Sequence, residues 1–144
     1  MRIIKYLIQF IIICIFYVIF KIIGVKLSSF LSGKLFEIIG PVFRSKKIID
    51  NNIRKAFPDY NSEELNKIKS SMWNNYGRVF AEYLYMKNFR DGNLSKNISL
   101  EGEDILLNIR DQNKKVIFIS GHFSNFELMA MQIDKIGIKI GAIY

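Results

Sequence analysis

The segment Ser120-Gly121-His122-Phe123-Ser124-Asn125-Phe126-Glu127 holds the only histidine of the chain, with a carboxylate five positions on. An imidazole of near-neutral pKa can take a proton from an attacking hydroxyl. A carboxylate near its other nitrogen would fix the tautomer and stabilise the imidazolium that forms. General-base help of this kind is worth roughly 10²–10⁴-fold in rate. The same spacing also occurs as a plain surface pair or a helix cap. Ser124 is a weaker nucleophile candidate, because His122 and Asn125 flank Phe123-Ser124 where a nucleophile elbow requires glycines. With one histidine and one cysteine, Cys14, no metal site is expected and no intramolecular disulfide can form. Cys14 lies between Ile13 and Ile15 and reads as a small hydrophobe.

The elements that must position this segment read as a parallel α/β unit. Val116-Ile117-Phe118-Ile119-Ser120 is an uninterrupted β-prone run of the kind buried on both faces of a sheet, and Gly121 breaks it. A helix is expected from Ser124 or Asn125, with Phe126, Met129, Ala130 and Ile133 on one side and Gly137 as its stop. Ile138 to Tyr144 reads as the next strand, and Ile98-Ser99-Leu100 as a short one. In an open sheet of this order, ligands bind at the carboxyl ends of the strands, which would place His122 at the site.

Upstream, helices are expected over KKIIDNNIRKAF, stopped by Pro58, and from about Glu103 to Arg110. Between them lies a long helix capped by Asn61 or Ser62, with Glu63 and Glu64 in its first turn. Leu65, Ile68, Met72, Tyr76, Val79, Phe80, Tyr83 and Leu84 advance by threes and fours along it, which predicts one face packed on a core or on the anchor elements.

The first forty residues are of a different kind. Tyr6 to Phe20 reads YLIQFIIICIFYVIF, and the apolar character resumes past Lys21. About twenty such residues make a helix of roughly 30 Å, the thickness of a bilayer core. Arg2 and Lys5 precede the run, and Lys21 and Lys26 are placed to snorkel at its far end. An uncleaved anchor fits better than a signal peptide, since no small-x-small site follows. The cluster Lys26, Lys34, Arg44, Lys46 and Lys47 favours a cytoplasmic carboxyl-terminal side. Residues 1–25 are thus expected to be the anchor, 26–43 a membrane-surface segment ended by Gly40-Pro41, and 44–144 an α/β domain. The net charge of +8 over 144 residues calls for a polyanionic partner. The long apolar opening favours anionic membrane lipid over nucleic acid.

Three blocks carry a resemblance. Gly121-His122-Phe123-Ser124-Asn125-Phe126-Glu127 resembles the G-H-[FX]-G-N-W-E signature of the bacterial lipid A biosynthesis acyltransferases, an H-x4-E form of the wider H-x4-D/E motif. Asn52 to Pro58 resembles their N-L-x-x-x-F-P segment, and Asn75-Tyr76-Gly77-Arg78 through Glu82 their N-x-G-R-x-x-x-E helix. Ser124 stands for the usual Gly and Phe126 for the usual Trp.

The resemblance implies an H-x4-D/E acyltransferase-type α/β domain at the cytoplasmic face of the bacterial inner membrane. The implied reaction moves a fatty acyl group from an acyl carrier protein thioester to a hydroxyl of a lipid A precursor. His122 is then the base, Glu127 its partner, and Gly121 and Asn125 substrate-contacting positions, with no cofactor. The blocks follow the order of that family's amino-terminal half, so the domain is expected to be truncated. Phosphatidylinositol-mannoside and glycerolipid acyltransferases share parts of the pattern. A membrane-bound interaction protein, using Arg44 to Lys47 and Arg54-Lys55 on anionic headgroups or an acidic carrier, is the non-enzymatic alternative.

Overall fold

The computed structural model describes residues 2–141, and they divide into two compact units that meet at Leu84 and Tyr85. The first unit begins with α1 (Arg2–Phe43), interrupted at Gly24, whose φ of 79° and ψ of 165° belong to a region open essentially to glycine alone. Ahead of the break the helix carries a continuous coat of exposed apolar side chains, among them Ile8, Ile12, Cys14, Ile15 and Val18, and is long and apolar enough to cross a membrane. The break disturbs the ladder of carbonyls around it, and Ser28, fully buried, answers: its hydroxyl donates to Phe20 O (3.0 Å) and Gly24 O (2.8 Å). Pro41 lies inside α1, which runs on only to Phe43.

Two further helices complete this unit. α2 (Lys46–Ala56) ends just ahead of Pro58, and its Ile49 is buried. α3 (Ser62–Glu82) is opened by a full capping box: the Asn61 side chain accepts from the backbone N–H groups of Glu63 and Glu64, and Glu64 accepts from the Asn61 N–H at 2.7 Å. The Lys69 ammonium donates to the Asp50 carboxylate at 2.7 Å, joining α2 to α3.

α3 returns along α1 as the second arm of a hairpin. Small residues of α1 are buried, Ser28 and Ser32 four apart, Ser29 and Gly33 four apart, and Gly40 further on, and α3 answers with Gly77 and Ala81. The register is antiparallel: Gly40 lies against Trp73, Gly33 against Asn74 and Arg78, Ser32 against Gly77, and Ser29 hydrogen-bonds Glu82 at 3.0 Å. Such small-residue seams let two backbones approach closely. The face expected to be packed is therefore displaced. Leu65 is buried as expected, but Tyr76, Phe80 and Tyr83 are exposed, because the close approach is made by Gly77 and Ala81 on the neighbouring side of the helix.

The second unit contains α4 (Met86–Asp91), α5 (Glu103–Asp111) and α6 (Glu127–Lys135). α4 is tied to α6 by Arg90, which donates to Asp134 at 2.6 Å, and by Lys135, whose ammonium donates to Arg90 O at 2.5 Å. α5 and α6 both end in paired backbone turns. Asn113 (φ 47°) follows α5, with Lys114 N–H donating to Ile109 O; Gly137 (φ 98°) follows α6, with Gly137 N–H donating to Asp134 O.

This architecture corrects the α/β expectation: among the described residues there is no strand, and the fold is helical. Val116–Ser120 has no regular secondary structure and, among the described residues, no ladder partner, with Ile117 and Ile119 at 90% and 94% exposure where burial on both faces was expected. A strand exists only by exchanging backbone hydrogen bonds with a neighbour, so β-propensity in one segment cannot make a sheet without another beside it. Ile98–Leu100 is likewise irregular, as are Ile138 to Gly141; the remainder of that expected strand, residues 142–144, lies outside the described residues.

Candidate functional site

The site segment is a chain of tight turns between the extended run and α6. The Phe123 N–H donates to Gly121 O at 2.9 Å, closing a three-residue turn with His122 at its apex. Ser124 follows in the left-handed region at φ 49°. The chain then enters α6 through Asn125 and Phe126, whose carbonyls accept from the N–H groups of Leu128 (3.2 Å) and Met129 (3.1 Å). Two reversals in quick succession push the His122 side chain outward, and it is exposed to solvent.

The His122 ring meets the edge of the Phe126 ring, with centroids 4.2 Å apart and planes at 62°. An aromatic edge-to-face contact holds the imidazole in place without occupying either nitrogen. Glu127 is the first residue of α6, where its charge suits the helix dipole. No hydrogen bond or ion pair joins it to His122; the side chain brought against the imidazole is that of Phe126. Of the other two expected residues, Asn125 is buried, and Gly121 is half-buried beside Phe123, whose ring a Cβ at 121 would meet at 2.5 Å. His122 is thus an exposed imidazole at the apex of a short turn.

The recess of this unit, lined by residues including Leu100, Leu107, Arg110 and Gln132, takes in neither His122 nor Glu127. In the first unit, a shallow recess on α2 is lined by Ile48, Asn51, Asn52, Arg54 and Lys55, which places the Asn52 and Arg54-Lys55 positions on one exposed, basic helix face.

The third block of the resemblance, Asn75 through Glu82, has a different use from the one its charges suggest. Arg78 and Glu82, four apart on α3, turn to separate partners: the Arg78 Nε donates to Asn74 Oδ1 at 2.8 Å, while Glu82 accepts from Ser29 of α1. Asn74 in turn donates to Glu37 of α1 at 2.5 Å, and Lys34 pairs with the same carboxylate at 3.1 Å. Gly77 supplies the gap between the helices. The block joins α3 to the part of α1 beyond Gly24. The serines and glycines of α1 were a readable signal for it, since their four-residue spacing matches that of Gly77 and Ala81.

The structure thus offers an apolar helix long enough to cross a membrane, an exposed histidine on a turn before a helix, and a glutamate at that helix's first position. The family model described as bacterial lipid A biosynthesis acyltransferase matches residues 1–144, the whole chain. The chain belongs to that family. No curated protein and no solved structure gives a match.

Proposed function

We propose that the chain transfers a fatty acyl group from an acyl carrier protein thioester to a hydroxyl of a lipid A precursor, at the cytoplasmic face of the bacterial inner membrane. The observation that carries this reading is His122, exposed at the apex of its turn inside the family's signature. In this mechanism an imidazole nitrogen of His122 takes the proton of the acceptor hydroxyl as the oxygen attacks the thioester carbonyl. The thiolate then leaves, and the proton passes from the imidazolium to it or to water. A thioester is activated enough that no covalent acyl-enzyme is needed. Glu127 acts on the imidazolium through its charge, an effect that needs no permanent hydrogen bond. Gly121 keeps the turn narrow, and Asn125 braces its base from within the unit. α1 would cross the bilayer ahead of Gly24 and tether the chain to the membrane that holds the lipid acceptor, a role its length and apolar surface support.

The test is acyl transfer from acyl carrier protein to a lipid A precursor by membranes carrying this chain, beside His122→Ala and Glu127→Gln. His122→Ala should lose roughly 10²–10⁴-fold in rate, the usual worth of a general base, and Glu127→Gln less. Transfer by His122→Ala at the parent rate would refute the assignment.

A further inference from the structure

The exposed aromatic stripe of α3 and the 3-10 turn Tyr83–Tyr85 that follows it remains unused by the acyl-transfer reading. Tyr76, Phe80 and Tyr83 are 57%, 45% and 44% exposed, and they follow one another at helical spacing. Phe80 lies beside Phe36 of α1, ring centroids 5.7 Å apart, so the stripe continues onto the first arm of the hairpin. On the far side of α3, Asn74 and Arg78 are bonded to each other and, through Asn74, to the Glu37–Lys34 pair of α1. The aromatic stripe of α3 thus has a polar side opposite it, while on α1 Leu31 and Ile38 stand exposed beside Lys34.

We infer that this hairpin lies along the membrane surface with Tyr76, Phe80 and Tyr83 seated at the boundary between headgroups and acyl chains, a second membrane contact beside the crossing helix. The inference rests on α1 crossing the bilayer ahead of Gly24. Its occupant, lipid, follows from a fixed depth marker. Lys21, the first cation beyond the apolar run, donates to the Leu84 carbonyl at 2.8 Å and stands 5.8 Å over the Tyr17 ring. The end of α3 is thus held at the level where the crossing segment leaves the hydrocarbon. From there, Tyr83 to Tyr76 extends about 10 Å along the helix axis. The bend at Gly24 allows the hairpin to turn from the crossing direction into the surface plane. Tyrosines, with an apolar ring and a polar tip, are the side chains enriched at that depth.

The experiment uses the full chain with Cys14→Ser, reconstituted in phosphatidylethanolamine–phosphatidylglycerol vesicles. Single spin labels are placed through Tyr76→Cys, Phe80→Cys and Tyr83→Cys, with Ile13→Cys reporting the crossing helix and Lys67→Cys reporting water. Each labelled protein must keep the parent helical circular dichroism. Three positions are used so that one disturbed contact does not decide the result. Labels at 76, 80 and 83 should be several-fold more accessible to oxygen, relative to a water-soluble nickel chelate, than the label at 67. Nickel access at these positions overturns the inference. So does shielding from both reagents, which would mean that protein covers the stripe. The label at 13 judges the crossing helix separately: lipid at 13 with water at 76 to 83 leaves the anchor standing and removes the surface seat, and the converse result does the reverse.

Discussion

Replacing Gly77 with alanine sets two known effects against each other at the α1–α3 seam. In an unpacked helix the change is favourable by about 0.8–1.0 kcal/mol, the difference in helix propensity between the two residues. At this position a Cβ would lie 2.7 Å from the Ser32 carbonyl carbon and 2.8 Å from Phe36 Cβ, and closer still to the Ser32 oxygen. Comfortable carbon–carbon contact begins near about 3.5 Å, so the helices must separate by about 1 Å. The obstructing atoms are mostly backbone of the facing helix and cannot swing aside. Overpacking of this kind costs typically about 1–3 kcal/mol, and parting the seam also stretches the Ser29–Glu82 and Asn74–Glu37 bonds. The net expectation is a loss of about 0–2 kcal/mol once the propensity gain is subtracted, before the stretched hydrogen bonds are counted. Gly33→Ala is the internal control. The nearest atoms its Cβ would meet belong to side chains, Asn74 Nδ2 at 2.9 Å and Arg78 Cγ at 3.1 Å, which can shift at some cost to their own hydrogen bonds, so it should cost less than Gly77→Ala. Both variants would be unfolded in mixed micelles by increasing sodium dodecyl sulfate, with helical circular dichroism as the probe. A Gly77→Ala protein as stable as Gly33→Ala would refute the close-packed seam.

The remaining predictions concern local features. Asn61→Ala should lower stability by about 1 kcal/mol through loss of the capping box, read in the same unfolding assay. Ser124→Gly should be neutral or stabilising: a non-glycine residue in the left-handed region costs about 1–2 kcal/mol, and glycine's extra unfolded-state entropy returns only about 0.5–1 kcal/mol of that. The hydrogen bond from Lys69, reinforced by the charges of Lys69, Lys46 and Arg54, holds the Asp50 carboxyl below its ordinary value of 3.8. A lowered folded-state pKa gives stability that is full above the unfolded value and is lost as pH falls through the folded one. Melting temperatures of the parent should therefore fall more steeply below about pH 4 than those of Asp50→Asn, and parallel acid limbs would count against the pair.

What could be read from the chain beforehand was what local chemistry decides. α2 was legible from its apolar spacing and from Pro58, α3 from its cap and first-turn acids, α5 from its periodicity, and the end of α6 from Gly137. The strands were misread because pairing is decided elsewhere in the chain: Val116–Ser120 has the side chains of a strand and, among the described residues, no ladder neighbour. The packed face of α3 was misjudged for a related reason. Hydrophobic periodicity picks out Tyr76, Phe80 and Tyr83, whereas close helix approach selects the smallest residues, and in a chain with a membrane segment the apolar stripe need not face protein. At the site, the sequence named His122 and Glu127 but not Phe126, the residue that touches the imidazole, since an aromatic four positions on reads equally well as core.

The site geometry bears on how that histidine can work. A base that must accept a proton and release it within one turnover gains from having a nitrogen open to the acceptor, and exposure at the turn's apex provides this. Orientation then has to come from something that leaves the nitrogens available. The Phe126 edge does so, and the backbone around it is stiffened by the Gly121–Phe123 turn and by Ser124 in a left-handed conformation. Glycine is the residue that the family signature carries at the Ser124 position, and a positive φ there is a physical reason for it: the turn, rather than the side chain, is what the position requires. Under the proposed acyl transfer, the aromatic at Phe126 and the backbone path from Gly121 to Asn125 would act by setting where the imidazole stands.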